Sequence, residues 1–148
     1  MPRHATLIPL SHDHHEALLV ALRIKKGGPV SLNDRMWPAD FHQQIRAIKL
    51  YCERELLPHF AIEEEFLFPV ADWLTGLNGL MLTLRSQHEA MRNFFKHLTE
   101  SPDEATSRKL VEEFGSTLEA HVRLEERELF PALERASESG LIVLPSLK

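Results

Sequence analysis

Two segments of the chain repeat one arrangement of histidine, glutamate and a closing Leu-Phe-Pro. One copy runs from His59 to Pro69 and the other from His121 to Pro131, and both follow the pattern H-x3-E-E-x2-L-F-P. Residues four apart project from the same side of an α-helix, so each copy presents an imidazole beside a carboxylate. Iron, manganese and zinc all accept such ligands, and facing helices can combine two pairs into one site.

Each histidine–glutamate pair falls on the apolar stripe of its segment. A buried glutamate is unfavourable unless a positive charge compensates it, so two of them, each one turn from a histidine, favour a bound cation. The residues with three-four spacing are Cys52, Leu56, His59, Glu63 and Phe66 in one segment, and Phe114, Leu118, His121, Glu125 and Leu129 in the other.

A third segment carries one histidine on its apolar stripe. His88 stands between Leu84 and Met91 at helical spacing, so it is a further candidate ligand. His97 lies on the opposite side of the same segment, and we expect it to face solvent. His4 and His42 also fall outside the apolar stripes near the pairs.

The first helical segment holds three histidines close together. Its apolar residues centre on the direction of His14, whereas His15 lies about 100° to the side and His12 points with the charges. Glu16 and Arg23 should therefore lie opposite the core. His14 is the candidate ligand and His15 the reserve. The apolar residues are Ala17, Leu18, Ala21 and Ile24.

The inward residues from the four segments form one candidate ligand set. A single buried histidine is more often a hydrogen-bonded core residue than a metal ligand. Six inward polar groups converging in one interior would be poorly paired without a cation, and this convergence favours metal binding. The predicted ligands are His14, His59, Glu63, His88, His121 and Glu125.

Four helices must position these residues. Glycine and proline gather at a few breaks, and the stretches between them have helical periodicity and strong helix formers. No strand pattern competes, so we predict an all-α protein, an antiparallel up-down four-helix bundle in a single domain over residues 1–148. The predicted helices cover residues 11–26, 39–68, 78–98 and 102–135.

Several residues are expected to shape these helices. Ser11 is the expected N-cap of the first helix. Pro58 should kink the second helix or remove one backbone bond. Ser101, Pro102 and Glu104 are expected to open the fourth helix as a capping box. The tail after Ser137 should pack on the bundle or fray.

Composition argues against several other classes of protein. The 148 residues are 43% hydrophobic and 26% charged with a net charge of -5, which is typical of a soluble globular domain. No basic run indicates a nucleic-acid partner, and no long apolar run indicates a membrane span. The single cysteine, Cys52, allows neither an internal disulfide nor a cysteine-rich metal site, and we expect it to be buried and unreactive in a cytoplasmic protein.

These residues resemble the hemerythrin-like, or HHE cation-binding, domain family. The likeness covers Asp13-His14, the two H-x3-E-E-x2-L-F-P frames and His88-Glu89, and so nearly the whole chain. It implies a four-helix bundle with a non-haem di-iron centre. By that likeness Glu63 and Glu125 would bridge the ions, and the four candidate histidines would be terminal ligands.

The sequence departs from the oxygen-carrying hemerythrins at two positions. Those proteins carry a second histidine four residues after the third-helix ligand, where this chain has Arg92. They also carry an aspartate five residues after the last histidine, where the predicted ligand here is Glu125, four residues after it. The chain thus looks more like the bacterial branch linked to nitric oxide, oxidative stress, iron handling or iron–sulfur cluster repair than like a simple oxygen carrier.

Three functions follow from this interpretation. The first is a protein with two iron ions that binds or senses O2, NO or peroxide, or that handles iron, in which Arg92, His15, Glu64 or Glu126 could orient the ligands. The second is a stress-response enzyme that uses the same ligands to repair clusters or to reduce NO or peroxide. The third is a zinc-bound or metal-free interaction module. Zinc or manganese would also suit the ligand types.

Overall fold

The protein is a bundle of four helices. The computed structural model describes residues 2–31, 34, 37–100 and 103–147, and every regular element within these ranges is helical. We name the helices α1 (Ile8–Lys26), α2 (residues 41–72), α3 (Asn78–Glu100) and α4 (residues 104–138). Within the described ranges, no helix is both long enough and apolar enough to cross a membrane.

Helices α2 and α4 are each interrupted by π turns, in which an N–H bonds to the carbonyl five residues back. Helix α2 consists of Phe41–Tyr51, the π turn Cys52–Leu56, Leu57–Ile62, the π turn Glu63–Leu67, and Phe68–Asp72. Helix α4 consists of Glu104–Leu124, the π turn Glu125–Leu129, and Phe130–Glu138.

Neighbouring helices run antiparallel, as predicted. The Ser11 hydroxyl donates to Glu126, and further along α1 the side chain of Ile24 packs on Gly115, so α1 and α4 point in opposite directions. A Cβ on Gly115 would lie 2.7 Å from Ile24 Cγ2, so only glycine allows this approach without a shift.

Helix α2 is likewise antiparallel to both α1 and α3. The Gln44 amide donates to the Gly27 carbonyl where α1 ends. Arg85 pairs with Asp72 where α2 ends and α3 is near its start. Helices α2 and α4 therefore run parallel, and the two copies of the repeated pattern lie at the same level of the bundle.

Two apolar clusters fill the bundle, one on each side of a polar layer. Phe60, Phe114 and Leu118 belong to the larger cluster and are fully buried. Leu67, Phe68 and Phe130 belong to the other, which also includes Leu144 from the tail. The tail therefore packs on the bundle, although Leu141 and Val143 are exposed. The residues of the layer between the clusters are His14, His59, Glu63, His88, His121 and Glu125.

The helix ends differ from the predicted bounds. Helix α1 begins three residues earlier than expected, because Pro9 fits the first turn, where no N–H is needed, so Ser11 is not its N-cap. The α4 cap is Asp103, which accepts from the Thr106 N–H; the expected Ser101 and Pro102 lie outside the described residues. Helices α2, α3 and α4 end at residues 72, 100 and 138 rather than at 68, 98 and 135.

Helix α2 continues through Pro58. The Leu57 N–H donates to the Cys52 carbonyl in a π turn that ends just before the proline. Proline lacks an N–H and its ring clashes with the carbonyl four residues back, and the wider turn accommodates both problems. The same arrangement precedes Pro69 and Pro131.

The π turn at Glu63 also corrects the predicted apolar stripe. Phe66 was expected to face inward, yet it is 41% exposed, whereas Leu67 is fully buried. A π turn holds one extra residue, so the next inward position after Glu63 is four residues on rather than three.

Arg23 is a second correction, since it was expected opposite the core. It is only 8% exposed, because the connection between α1 and α2 folds over it. Asp34 accepts two hydrogen bonds from its guanidinium, at 2.8 and 3.0 Å, and the Trp37 ring lies 5.1 Å from its central carbon.

Candidate metal centre

The structure brings all six predicted ligand residues together in the polar layer. They form two groups of four in which one ligand atom from each residue lies within 4.8 Å of the others. Both groups contain Glu63 and Glu125, so the two carboxylates lie between two pairs of imidazoles. One group is completed by His14 and His59, and the other by His88 and His121.

The imidazoles point their Nε2 atoms at the shared carboxylates. His14 Nε2 lies 2.9 Å from Glu125 Oε1, and His88 Nε2 lies 3.1 Å from Glu63 Oε1. The two histidines of the repeated pattern each lie 3.4 Å from the glutamate four residues on. All six side chains are at most 5% exposed, which leaves this cluster shielded from water.

Several of these buried atoms have no hydrogen-bond partner in the described part of the chain. They are His59 Nε2, Glu63 Oε2 and Glu125 Oε2, and all three face the layer. Buried polar atoms are nearly always paired, because an unpaired one costs free energy. Nitrogen and carboxylate oxygen are also the donors that a divalent transition metal accepts, so the residues fit one or two such ions.

Each imidazole is held from behind by an acceptor on a neighbouring helix. Since a carboxylate or amide oxygen can only accept, Nδ1 carries the proton and a neutral imidazole keeps its Nε2 lone pair free for a metal. The Nδ1 bonds are His14 to Glu126 (2.6 Å), His59 to Asp13 (2.8 Å), His88 to Glu64 (2.7 Å) and His121 to Gln87 (2.8 Å).

The repeated pattern also explains how the imidazoles of α1 and α3 are oriented. The second glutamate of each copy is an Nδ1 acceptor, and the phenylalanine of its Leu-Phe-Pro lies flat against the same imidazole. In the first copy Glu64 and Phe68 hold His88, with ring centroids 5.1 Å apart. In the second copy Glu126 and Phe130 hold His14, with centroids 5.3 Å apart.

Burial and charge act in opposite directions on the imidazoles of the layer. Burial by itself would lower the pKa of His59, but Glu63 and the hydrogen bond to Asp13 raise it to about 10. In the same way, the carboxylates around His121 outweigh its burial and raise its pKa to about 9. Burial would raise the pKa of Glu63, yet the surrounding imidazoles hold it well below its usual range. The layer therefore favours positive charge, as protons or as metal ions.

A cavity of about 20 Å³ adjoins the layer beside His14, His59 and His121. Most of its surface is apolar, but its lining residues also include the exposed carboxylates of Asp13, Glu16 and Glu55. A volume of roughly 10–15 Å³ admits one water molecule, so this cavity has room for a molecule of two or three atoms. The apolar lining residues are Ala17, Leu56, Phe60, Leu118 and Val122.

The remaining histidines lie away from the layer. His15, the reserve candidate, is exposed and belongs to neither ligand group, and His12, His42 and His97 are exposed as well. His4 is partly buried, and its Nδ1 accepts from the Thr6 N–H. Glu64 and Glu126 lie where they orient imidazoles, whereas Arg92 contacts Glu64 rather than a histidine.

Sequence reasoning missed Asp13 and Gln87 as partners of His59 and His121. Each stands directly before a candidate ligand, His14 or His88, and this shared position is a signal that the sequence offers for both.

Comparison with known proteins agrees with the geometry of the layer. A family model described as the hemerythrin HHE cation binding domain matches residues 5–138, which include all four helices. No curated protein and no solved structure matches the chain.

Proposed function

We propose that this chain, which belongs to the hemerythrin HHE cation-binding domain family, holds two non-haem iron ions. We further propose that these ions bind or sense O2, NO or peroxide. The family supplies the premise that the domain binds a cation. The number of ions, their identity and the small ligand are our inference from the residues of the layer and from the cavity beside it.

The ligand geometry supports two ions rather than one. His14 and His59 would hold one ion, His88 and His121 the other, and the two glutamates would lie between them. Each ion would then have four protein ligands at most, fewer than the six that iron commonly takes, so positions stay open for a small ligand. Iron would supply open coordination positions and one-electron redox chemistry.

The cavity is the observation that carries the choice of ligand. Its volume of about 20 Å³ suits a molecule of the size of O2, NO or peroxide. It is lined by His14 and His59, ligands of one ion, and by His121, a ligand of the other, so a small molecule there would lie beside both ion positions. Leu118 and Val122 provide apolar walls that disfavour bulk water.

The protein side chains would position and shield the ions. The Nδ1 bonds fix the orientation of each imidazole and strengthen it as a donor. The rings of Phe60, Phe68 and Phe130 contact the imidazoles and exclude water from them. The low water content strengthens every electrostatic interaction in the layer.

The test is metal analysis combined with an optical spectrum of protein purified from an iron-supplied host. We expect two irons per chain and a visible absorption that changes when O2, NO or peroxide is added. The double substitution Glu63→Gln, Glu125→Gln should abolish iron binding, whereas the exposed-residue control His97→Ala should not.

Other outcomes would favour other functions. Zinc or no metal in iron-supplied protein would favour an interaction module and overturn the proposal. Two irons without any spectral response would overturn the ligand-binding role. Catalytic consumption of peroxide or NO, or reactivation of a damaged iron–sulfur enzyme, would instead favour an enzyme with the same ligands.

A further inference from the structure

The two halves of the layer use the same arrangement of Nδ1 acceptors, but these acceptors differ in charge at one pair of residues. In each half, the residue before the ligand of α1 or α3 accepts from the Nδ1 of the repeated-pattern histidine. Asp13 accepts from His59 in one half, and Gln87 accepts from His121 in the other, both at 2.8 Å. A carboxylate thus occupies the place that an amide occupies in the other half.

The other two Nδ1 acceptors are both glutamates, and each has an arginine partner. Glu126 accepts from His14 and pairs with Arg3 at 3.0 Å. Glu64 accepts from His88 and pairs with Arg92 at 2.6 Å. Each of these carboxylates therefore has an arginine partner, although Arg3 also pairs with Glu134 at 2.8 Å and is shared between two carboxylates.

Asp13 differs from these two glutamates. Within the described ranges no arginine or lysine forms an ion pair with it. Among the Nδ1 acceptors, the half that contains His14 and His59 therefore has one carboxylate without an arginine or lysine partner, and the half that contains His88 and His121 has none.

We propose that Asp13 and Gln87 make the two cation positions unequal, so that the His14–His59 position binds a divalent cation more tightly. This inference rests on the proposed two-ion site. A carboxylate behind an imidazole makes it a stronger donor than an amide does, and its charge attracts the cation directly. Two of the three candidate ligands that line the cavity, His14 and His59, belong to that position, so a water molecule in the cavity can complete the coordination of that ion.

The expected size of the effect follows from the exposure of Asp13. Its side chain is 50% exposed, so solvent screens part of its charge. Loss of a hydrogen-bonded partner behind a metal ligand typically lowers affinity 10–100-fold, and the screening places Asp13 near the lower end, about 10-fold.

The experiment separates the two positions before comparing them. Two neighbouring cations repel each other, so a two-step titration alone does not identify which position fills first. In His121→Ala the first position keeps all its ligands, and in His59→Ala the second does. The metal-free proteins are titrated with cobalt(II), and binding is followed by visible absorption and calorimetry. We expect His121→Ala to bind one ion about 10-fold more tightly than His59→Ala does.

Charge exchange at the two acceptors then tests the cause. Asp13→Asn in the His121→Ala protein should weaken binding about 10-fold, and Gln87→Glu in the His59→Ala protein should strengthen it by a similar factor. Both changes keep an oxygen acceptor for Nδ1. Glu113→Gln, an exposed change on α4, controls for net charge and should alter neither protein.

The outcomes distinguish this inference from the proposed function. Failure of the unsubstituted protein to bind two cobalt ions overturns the two-ion site itself. Two bound ions, with equal or reversed affinities in the one-position proteins, overturn only the inequality. If Asp13→Asn fails to fold by circular dichroism, Gln87→Glu decides alone, because an unchanged affinity there also overturns the assigned cause.

Discussion

The Phe68 N–H donates to the carbonyl oxygen of Glu63, five residues back, and Pro69 follows directly. Phe130, Glu125 and Pro131 repeat this relationship in α4. The proline that closes each copy of the pattern thus accompanies a π turn that starts at a shared glutamate. The turn places the phenylalanine over a neighbouring imidazole, which links backbone geometry to the polar layer.

Pro69→Ala should separate metal affinity from stability. The restored N–H allows an ordinary α turn, which would move Phe68 away from His88 and shift Glu63. We expect cobalt(II) affinity to fall about 10-fold, as for loss of other contacts that orient ligands. The melting temperature should hold or rise, because alanine is the better helix former. Pro9→Ala, in the first turn of α1, is the control; equal affinity in both variants would contradict the role of the π turn.

Filling the cavity should impair the response to small ligands without removing the metal. Ala17 lines the cavity and is 1% exposed, so Ala17→Val places two methyl groups in or against it. Overpacking of about 1–3 kcal/mol would weaken ligand binding roughly 10–100-fold. Metal content and the optical response to NO provide the measurement. Ala21→Val, a buried change one turn further along α1 and outside the cavity, should leave the optical response to NO unchanged. An equal loss of this response in both variants would contradict the cavity as the binding place of the small ligand.

The metal-free protein should lose stability as pH rises above neutrality. Burial would lower the pKa of His59 and His121, but the facing carboxylates raise these values to about 10 and about 9. A folded-state pKa above the unfolded one stabilises the fold fully below the unfolded value of about 6.5, and this contribution is lost as pH rises through the folded value. Urea midpoints should therefore fall between pH 6.5 and 10.

The metal-loaded protein is the matched comparison for that experiment. A metal ion would replace the Nε2 protons of His59 and His121, while the Nδ1 protons stay in their hydrogen bonds. The urea midpoint of the metal-loaded protein should therefore change less over the same pH range. The affinity for the metal should fall towards acidic pH, because protons compete for Nε2. Identical pH profiles for the two forms would contradict this assignment of the charges.

Cys52 should be inert in the folded protein. It is 1% exposed, and burial raises the pKa of its thiol to about 12, so almost no thiolate is present at pH 8. A disulfide reagent should label it slowly under native conditions and rapidly in denaturant. Because it is the only cysteine, the signal is unambiguous, and rapid native labelling would show that this part of α2 opens.

The repeated pattern made much of the layer predictable from sequence. Within each copy, the histidine and glutamate lie on an ordinary α turn, where helical periodicity holds. The convergence of His14 and His88 followed from their places on apolar stripes. The all-helical fold class and the bundle topology needed no further information, since no segment had a competing strand pattern.

The sequence-based predictions were wrong where the backbone departs from uniform α periodicity, and where the contacting residue belongs to another segment of the chain. Phe66 was placed inward by counting three residues from Glu63, although alignment of the two copies pairs Leu67 with Leu129. Arg23 was placed outward because Asp34 and Trp37, which bury it, belong to a connection with no periodicity. The roles of Asp13 and Gln87 depend on the distance between helices, which no single segment encodes.

The four Nδ1 bonds run once around the bundle, from α1 to α4, from α4 to α3, from α3 to α2 and from α2 back to α1. Each helix provides one Nδ1 donor and one oxygen acceptor, so the four bonds form a closed ring. No helix can rotate or slide against its neighbours without breaking two of the four links. This closed ring of bonds therefore fixes the spacing of the imidazoles without a contribution from a bound ion.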